Sequence, residues 1–165
     1  MIPGARLFVV EFHNVTVSAQ QDFFYIKPAA DKPVSIEAVY IAMVGGTADA
    51  GDAQEELLDI EIIQLPATVT VGSGGSSFTP VPKVVGDTAG FTGRINDTTK
   101  ATTSGTAVNR FSGGMNNRVP FEYVPPIEHR DWLANAVAQV VRLNTTPADS
   151  TVMNGTCLVR EIQGA

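Results

Sequence analysis

Short apolar runs rich in Val, Ile, Phe and Thr recur along the whole chain, each closed by glycine, proline or a polar turn. Side chains of that kind suit a pleated, half-buried surface, so the runs predict strands. The first two are Arg6 to Phe12 and Asn14 to Ser18, the second alternating Val15 and Val17 with Asn14, Thr16 and Ser18. Asp22 to Lys27 follows and is closed by Pro28. Pro33 to Val44 sets Val34, Ile36 and Ala38 on one face and then turns continuously apolar, as a strand entering a core does. Leu57 to Leu65 alternates Leu58, Ile60 and Ile62 with Asp59 and Glu61, and Pro66 stops it. Thr88 to Asn96, Thr106 to Phe111 and Arg118 to Tyr123 predict shorter strands, and Glu128 to Ala134 a helical turn. The last runs, Ala136 to Leu143 and Thr151 to Ile162, are joined by a polar link and predict a closing antiparallel pair.

These spacings predict an all-β fold of about eight strands, a two-sheet antiparallel β-sandwich of jelly-roll type. At 165 residues the chain suits a single domain, 1–165, with a short N-terminal arm over residues 1–6. Residues 72–82, Gly-Ser-Gly-Gly-Ser-Ser-Phe-Thr-Pro-Val-Pro, predict a long flexible loop that orders on contact with a neighbour. A repeat of about 20–50 residues, which would indicate a propeller or solenoid, is not visible.

Composition narrows the function. Only 17% of residues are charged, and Thr, Ser, Asn and Gly occupy the positions between apolar runs. A surface that is polar but poor in charge desolvates cheaply, which suits subunit packing. Eleven basic against 17 acidic residues give a net charge of −6, with no basic cluster, so nucleic-acid binding is not expected. The single cysteine, Cys157, has no partner for an internal disulfide and fits a buried strand position. The opening Met1 to Arg6 lacks the apolar core of a signal peptide, and no apolar run is long enough for a membrane helix.

Candidate chemistry is sparse. His13 and His129 have no partner His, Cys or carboxylate at metal-ligand spacing, and no Gly-x-Ser-x-Gly elbow is present. Asp49, Asp52, Glu55 and Glu56 surround Gly51 but lack the Asp-x-Asp-x-Asp-Gly order of a calcium loop, so a solvated loop is expected. The glycines at 72, 74 and 75 are not followed by Gly-Lys-Ser/Thr and make no phosphate cradle. The expectation is a protein that is not an enzyme and carries no catalytic residue, metal or cofactor.

Protein contact is the remaining class of function. Trp132 is either an interface anchor or a lid on the core, and Phe111 to Asn117 is either a contact loop or a glycine-rich turn. The candidate contact residues are Ile2, Pro3 and Arg6 of the arm, Phe78 of the long loop, Phe111, Met115 and Trp132.

Four stretches carry a resemblance. They are Arg6 to Val17 (Arg-Leu-Phe-Val-Val-Glu-Phe-His-Asn-Val-Thr-Val), Gly51 to Leu58, Gly72 to Pro82, and Val140-Val141-Arg142-Leu143 leading through Pro147-Ala148-Asp149 to Gly155-Thr156. In order and layout the chain resembles the decoration, or cement, proteins of tailed-bacteriophage heads. The resemblance implies a jelly-roll subunit, often trimeric, that binds the major capsid protein on the capsid surface of the virion after synthesis in the bacterial cytoplasm. It brings no active-site residues. The competing expectation is a β-sandwich module of a virion or tail that binds a glycan or receptor, although most aromatics lie in strand-like runs such as Phe23-Phe24-Tyr25.

Overall fold

A computed structural model of the protein describes residues 5–45, 56–116, 118–134 and 137–162. The strands are β1 (Ala5–Val17), β2 (Gln21–Pro28), β3 (Val34–Gly45), β4 (Leu57–Leu65), β5 (Val69–Thr70), β6 (Ser76–Ser77), β7 (Val81–Pro82), β8 (Phe91–Asp97), β9 (Thr102–Thr103), β10 (Val108–Asn116), β11 (Phe121–Tyr123), β12 (Ala138–Leu143) and β13 (Thr151–Ile162). One 3-10 turn, Ile127–His129, is the helical element among the described residues. Residues 1–4 of the predicted arm, with Ile2 and Pro3, and most of the acidic segment after Gly45 lie outside the described residues.

Two large sheets pack face to face, one in the order β11-β3-β13-β1-β7 and the other β10-β4-β12-β2-β8-β6. The pairing is nested: β1 with β13, β2 with β12, β3 with β11 and β4 with β10, all antiparallel. Folding such a ribbon of pairs over itself gives a jelly roll, in which nearly every link between consecutive frame strands crosses from one sheet to the other. These eight strands form the frame, and β5–β9 are inserted between β4 and β10. The final two runs therefore do not pair with each other. β12 lies between β2 and β4, whereas β13 lies between β1 and β3 in the opposite sheet.

The two predicted N-terminal strands are one. Asn14 takes a left-handed φ of 53°, and the register with β13 shifts between Phe12 and Val15, so the apparent break at His13-Asn14 is a β-bulge within β1. Beside it the Phe12 ring stacks on Phe23 at 5.6 Å and leans on Phe24 at 5.3 Å. That ring covers Gly155 of β13 so closely that a Cβ there would lie 2.2 Å from it. A glycine inside a central strand is thus required by packing rather than by a turn.

Between the sheets lies the main core, including Phe8, Phe23, Phe24, Ile41, Ile60, Ile62 and Leu143, all fully buried. A second, smaller cluster occupies the opposite face of the six-stranded sheet, where Tyr25, Ile63 and Val140 stand in register. The β5–β9 ribbon covers it through Val69 and Ala101. Cys157 is buried in the main core, and desolvation alone pushes its thiol well above the usual range. It should resist alkylation by iodoacetamide at pH 8 in the native protein and react fully in urea; rapid labelling under native conditions would contradict this burial.

Candidate functional site

A charge-poor chain has few ionic groups to spend, and several of them are buried as clamps on irregular segments. Asp22 accepts from Arg142 at 2.5 and 3.0 Å and from the Ala101 amide at 2.7 Å. Asp97 accepts from Arg94 at 2.8 Å and from the Gly75 amide at 3.0 Å. Glu161 accepts from Arg6 and from the Gly90 amide, both at 2.5 Å. Glu37 accepts from Arg130 and, at 2.9 Å, from Arg160. Each carboxylate is nearly or fully buried, and each ties an insertion or connector to the sandwich frame. A buried charge without a partner is costly, and each of these carboxylates has an arginine partner.

Residues 72–82 are therefore not a free loop. Ser73 exchanges two backbone hydrogen bonds with Thr99, Ser76–Ser77 pairs with β8, and Val81–Pro82 pairs with β1. The segment passes from the edge of one sheet to the edge of the other, and half-buried Phe78 packs against Phe91 between them. The segment expected to become ordered mainly on contact with a neighbour is thus paired to both sheets within the chain itself. Its glycines and serines suggested chain entropy, but Asp97 and Arg94 supply partners that composition does not reveal.

The other candidate contacts divide. Arg6 is committed to Glu161 and is not a free arm residue. Met115 is 1% exposed and belongs to the core, because Val108–Asn116 continues as a strand through Gly113-Gly114 instead of forming a contact loop or turn. Phe111 and Trp132 remain near the surface, and their segments meet where Arg110 Nε stands 3.5 Å from Asp131 Oδ2. Trp132 is 41% exposed while its neighbour Leu133 is buried and bridges Val34.

At this meeting the edge strands β10 and β11, one from each sheet, border a cleft of about 330 Å³. Its walls are Arg110, Phe111, Glu122, Tyr123, Val124, Pro125, Pro126 and His129. Phe111 leans on Tyr123 with ring centroids 4.8 Å apart and meets Phe121 edge-on at 6.0 Å. Arg110 is held by the Gln64 side-chain oxygen through Nε at 3.0 Å and Nη2 at 2.6 Å. Burial first, and then the Asp131 carboxylate, raises the Tyr123 phenol above its ordinary value, while nearby Arg130 opposes this. The phenol is thus a donor at neutral pH.

No family model, curated protein or solved structure matches this chain. What the protein does must be argued from its own geometry. No group of three or more His, Cys, Asp or Glu among the described residues is placed to hold a metal ion. His13 is exposed and lies 3.4 Å from Glu11, and His129 lines the cleft. No helix among the described residues is long and apolar enough to cross a membrane.

The sequence pointed to Phe111 and Trp132 but not to Arg110, Glu122 or Tyr123. They come together only because β10 and β11 are edge strands on the same side of the sandwich, and no local motif announces that. Pro125-Pro126, directly after a strand-like run, was the one local sign of a built wall.

Proposed function

We propose that the protein is a structural virion subunit that binds the outer surface of a phage capsid and stabilises the shell by bridging neighbouring capsid subunits, acting as a homotrimer. The observation that carries this reading is the stretch from residue 119 to 132, which exposes Val119, Val124, Ile127 and Trp132 while Arg130 is clamped to Glu37. Large apolar side chains held on a fixed segment cost little entropy to dock, and a partly exposed tryptophan is a frequent interface anchor. Val84 and the fully exposed Val85 offer a second such point on the connector between β7 and β8. Contacts of this size are individually weak, and repetition over a lattice multiplies them. The resemblance to phage decoration proteins in segment order agrees with this role, as does a reduced thiol in a protein made in the bacterial cytoplasm.

The test is to prepare shells with and without the protein and to follow rupture on heating and osmotic shock. Decorated shells should survive the harsher conditions. Ile127→Asp and Val85→Asp should lower occupancy on shells while leaving the melting of the free protein within about 0.5 kcal/mol of the parent, since both side chains lie on the surface. Equal robustness of bare and treated shells would remove the cementing role.

A further inference from the structure

Of the four edges of the two large sheets, three are short or run into proline. β6 and β7 have two residues each, with Pro82 in β7, and β11 has three and leads into Pro125-Pro126. β10 is the exception. It is nine residues long, and among the described residues no strand pairs with its outer edge. A bulge at Arg110 interrupts its first part, but from Phe111 to Met115 it holds no proline and no charge, the devices that usually blunt an edge. Alternate residues of an edge strand turn N–H and C=O away from the sheet, so this stretch offers a row of donors and acceptors to a further strand. The cleft of about 330 Å³ lies beside it, walled by Phe111, Tyr123, Val124, Pro125 and Pro126. The Arg110 guanidinium is committed to Gln64 and Asp131, which leaves that wall mainly apolar.

We propose that the β10 edge and this cleft together bind an extended, uncharged segment of another protein, which adds to the six-stranded sheet as a strand and sets one large apolar side chain against Phe111 and Tyr123. The opposite side of the sandwich shows the arrangement. There Ser76–Ser77 adds to the edge of β8, Val81–Pro82 adds to the edge of β1, and Phe78 between them enters the gap and meets Phe91 with ring centroids 6.2 Å apart. The chain thus fills one side with an extended segment of its own, and among the described residues the β10 side has none. In strand addition the main-chain hydrogen bonds supply affinity and the side-chain pocket supplies selectivity. A charged segment would lose hydration against the apolar wall and find no counter-charge between Phe111 and Met115. A second copy fits less well. If two β10 edges paired about a two-fold axis, Phe111 and Met115 of each would stay with their own cores and the cleft would remain empty. This inference does not rest on the capsid reading, and either can fail alone.

The experiment titrates the isotope-labelled full chain with the capped peptide acetyl-Thr-Ser-Ser-Phe-Thr-Val-Thr-amide, followed by NMR, and repeats it with alanine in place of the phenylalanine. The first peptide should bind with a dissociation constant of roughly 1 mM, as expected for a short flexible strand. It should shift the amide signals of residues 111–115 and slow hydrogen exchange along that edge. The alanine peptide should bind about tenfold more weakly. Val124→Asp puts a charge on the wall at a half-exposed position, so it should weaken binding about tenfold while the melting temperature stays that of the parent. No binding at about 10 mM would overturn the proposal, as would equal binding of the two peptides or shifts confined to residues outside 111–115. A protein that dimerises without peptide and protects residues 111–115 in doing so would also overturn it and assign the edge to a second copy. Val85→Asp separates this inference from the capsid reading, since it should lower occupancy on shells and leave peptide binding unchanged.

Discussion

Replacing Asp22 by alanine is expected to destabilise the protein by about 3–5 kcal/mol, which for a chain of this size lowers the melting temperature by roughly 6–20 °C. The carboxylate is 1% exposed, and both its oxygens are used. Oδ1 accepts from Arg142 Nε at 2.5 Å, and Oδ2 accepts from Arg142 Nη2 at 3.0 Å and from the Ala101 amide at 2.7 Å. Arg142 in turn donates to the Ala101 carbonyl at 2.7 Å. One side chain thus fixes β12 against β2 and secures the connector that carries β9 over the second hydrophobic cluster. Without it, a largely buried guanidinium loses its counter-charge and a buried amide loses its acceptor. Asp22→Asn keeps the shape and one acceptor and should cost less, about 1–3 kcal/mol. The double change Asp22→Ala with Arg142→Leu should recover much of the loss, because the unpaired charge is what costs most. Thermal and urea melting of the three variants decides the matter. If Asp22→Ala melts within about 2 °C of the parent, Arg142 escapes to solvent without penalty and the clamp is not structural.

The strands were legible because their alternation is set by local burial, and the frame strands fall on the apolar runs. Pairing was not legible. Sequence neighbours pair in hairpins, and on that rule β12 and β13 looked like partners; in a jelly roll the chain changes sheet at such a link. The clamps were hidden for the same reason. Asp22 and Arg142 stand 120 residues apart, and Arg6 and Glu161 are 155 apart. Neither pair has a local signature, and an acidic residue at a strand end has the same local pattern whether it faces water or an arginine. His13 shows the converse error, where a polar dipeptide that looked like a gap is a bulge.

The cleft has the same origin. Phe111 stood out as an aromatic in a polar stretch, but its strand was expected to end there, and the continuation through Ser112, Gly113 and Gly114 turns a supposed loop into a sheet edge. Once β10 is an edge and β11 is the edge of the opposing sheet, Phe111 and Tyr123 border a common opening. The opposite side of the sandwich ends differently. There β6 and β7 cap the two sheets, and Phe78 fills the gap between them.

That closed side gives the second large effect. Gly93 of β8 lies where an added Cβ would come within 1.9 Å of the Tyr25 carbonyl and 2.5 Å of the Phe78 ring. The carbonyl belongs to the backbone of β2 and cannot move without disturbing the β2–β8 ladder. Gly93→Ala should therefore force β8 outward, at a cost of roughly 3 kcal/mol, the upper part of the range for overpacking. The displaced strand carries Arg94 and Asp97, which hold Gly75, so the disturbance should spread to residues 72–82. Limited proteolysis reads this directly. The parent protein should resist cleavage within 72–82, since the segment is paired to both sheets, and Gly93→Ala should be cut there first. Phe78→Ala offers a milder check: it removes the ring that the new methyl would strike but leaves the carbonyl in place. If Phe78→Ala with Gly93→Ala melts as well as Phe78→Ala alone, the clash is with the ring and β8 is not displaced. If the double variant is less stable by nearly the full cost of Gly93→Ala, the carbonyl contact governs and the closed edge depends on β8 lying tightly against β2.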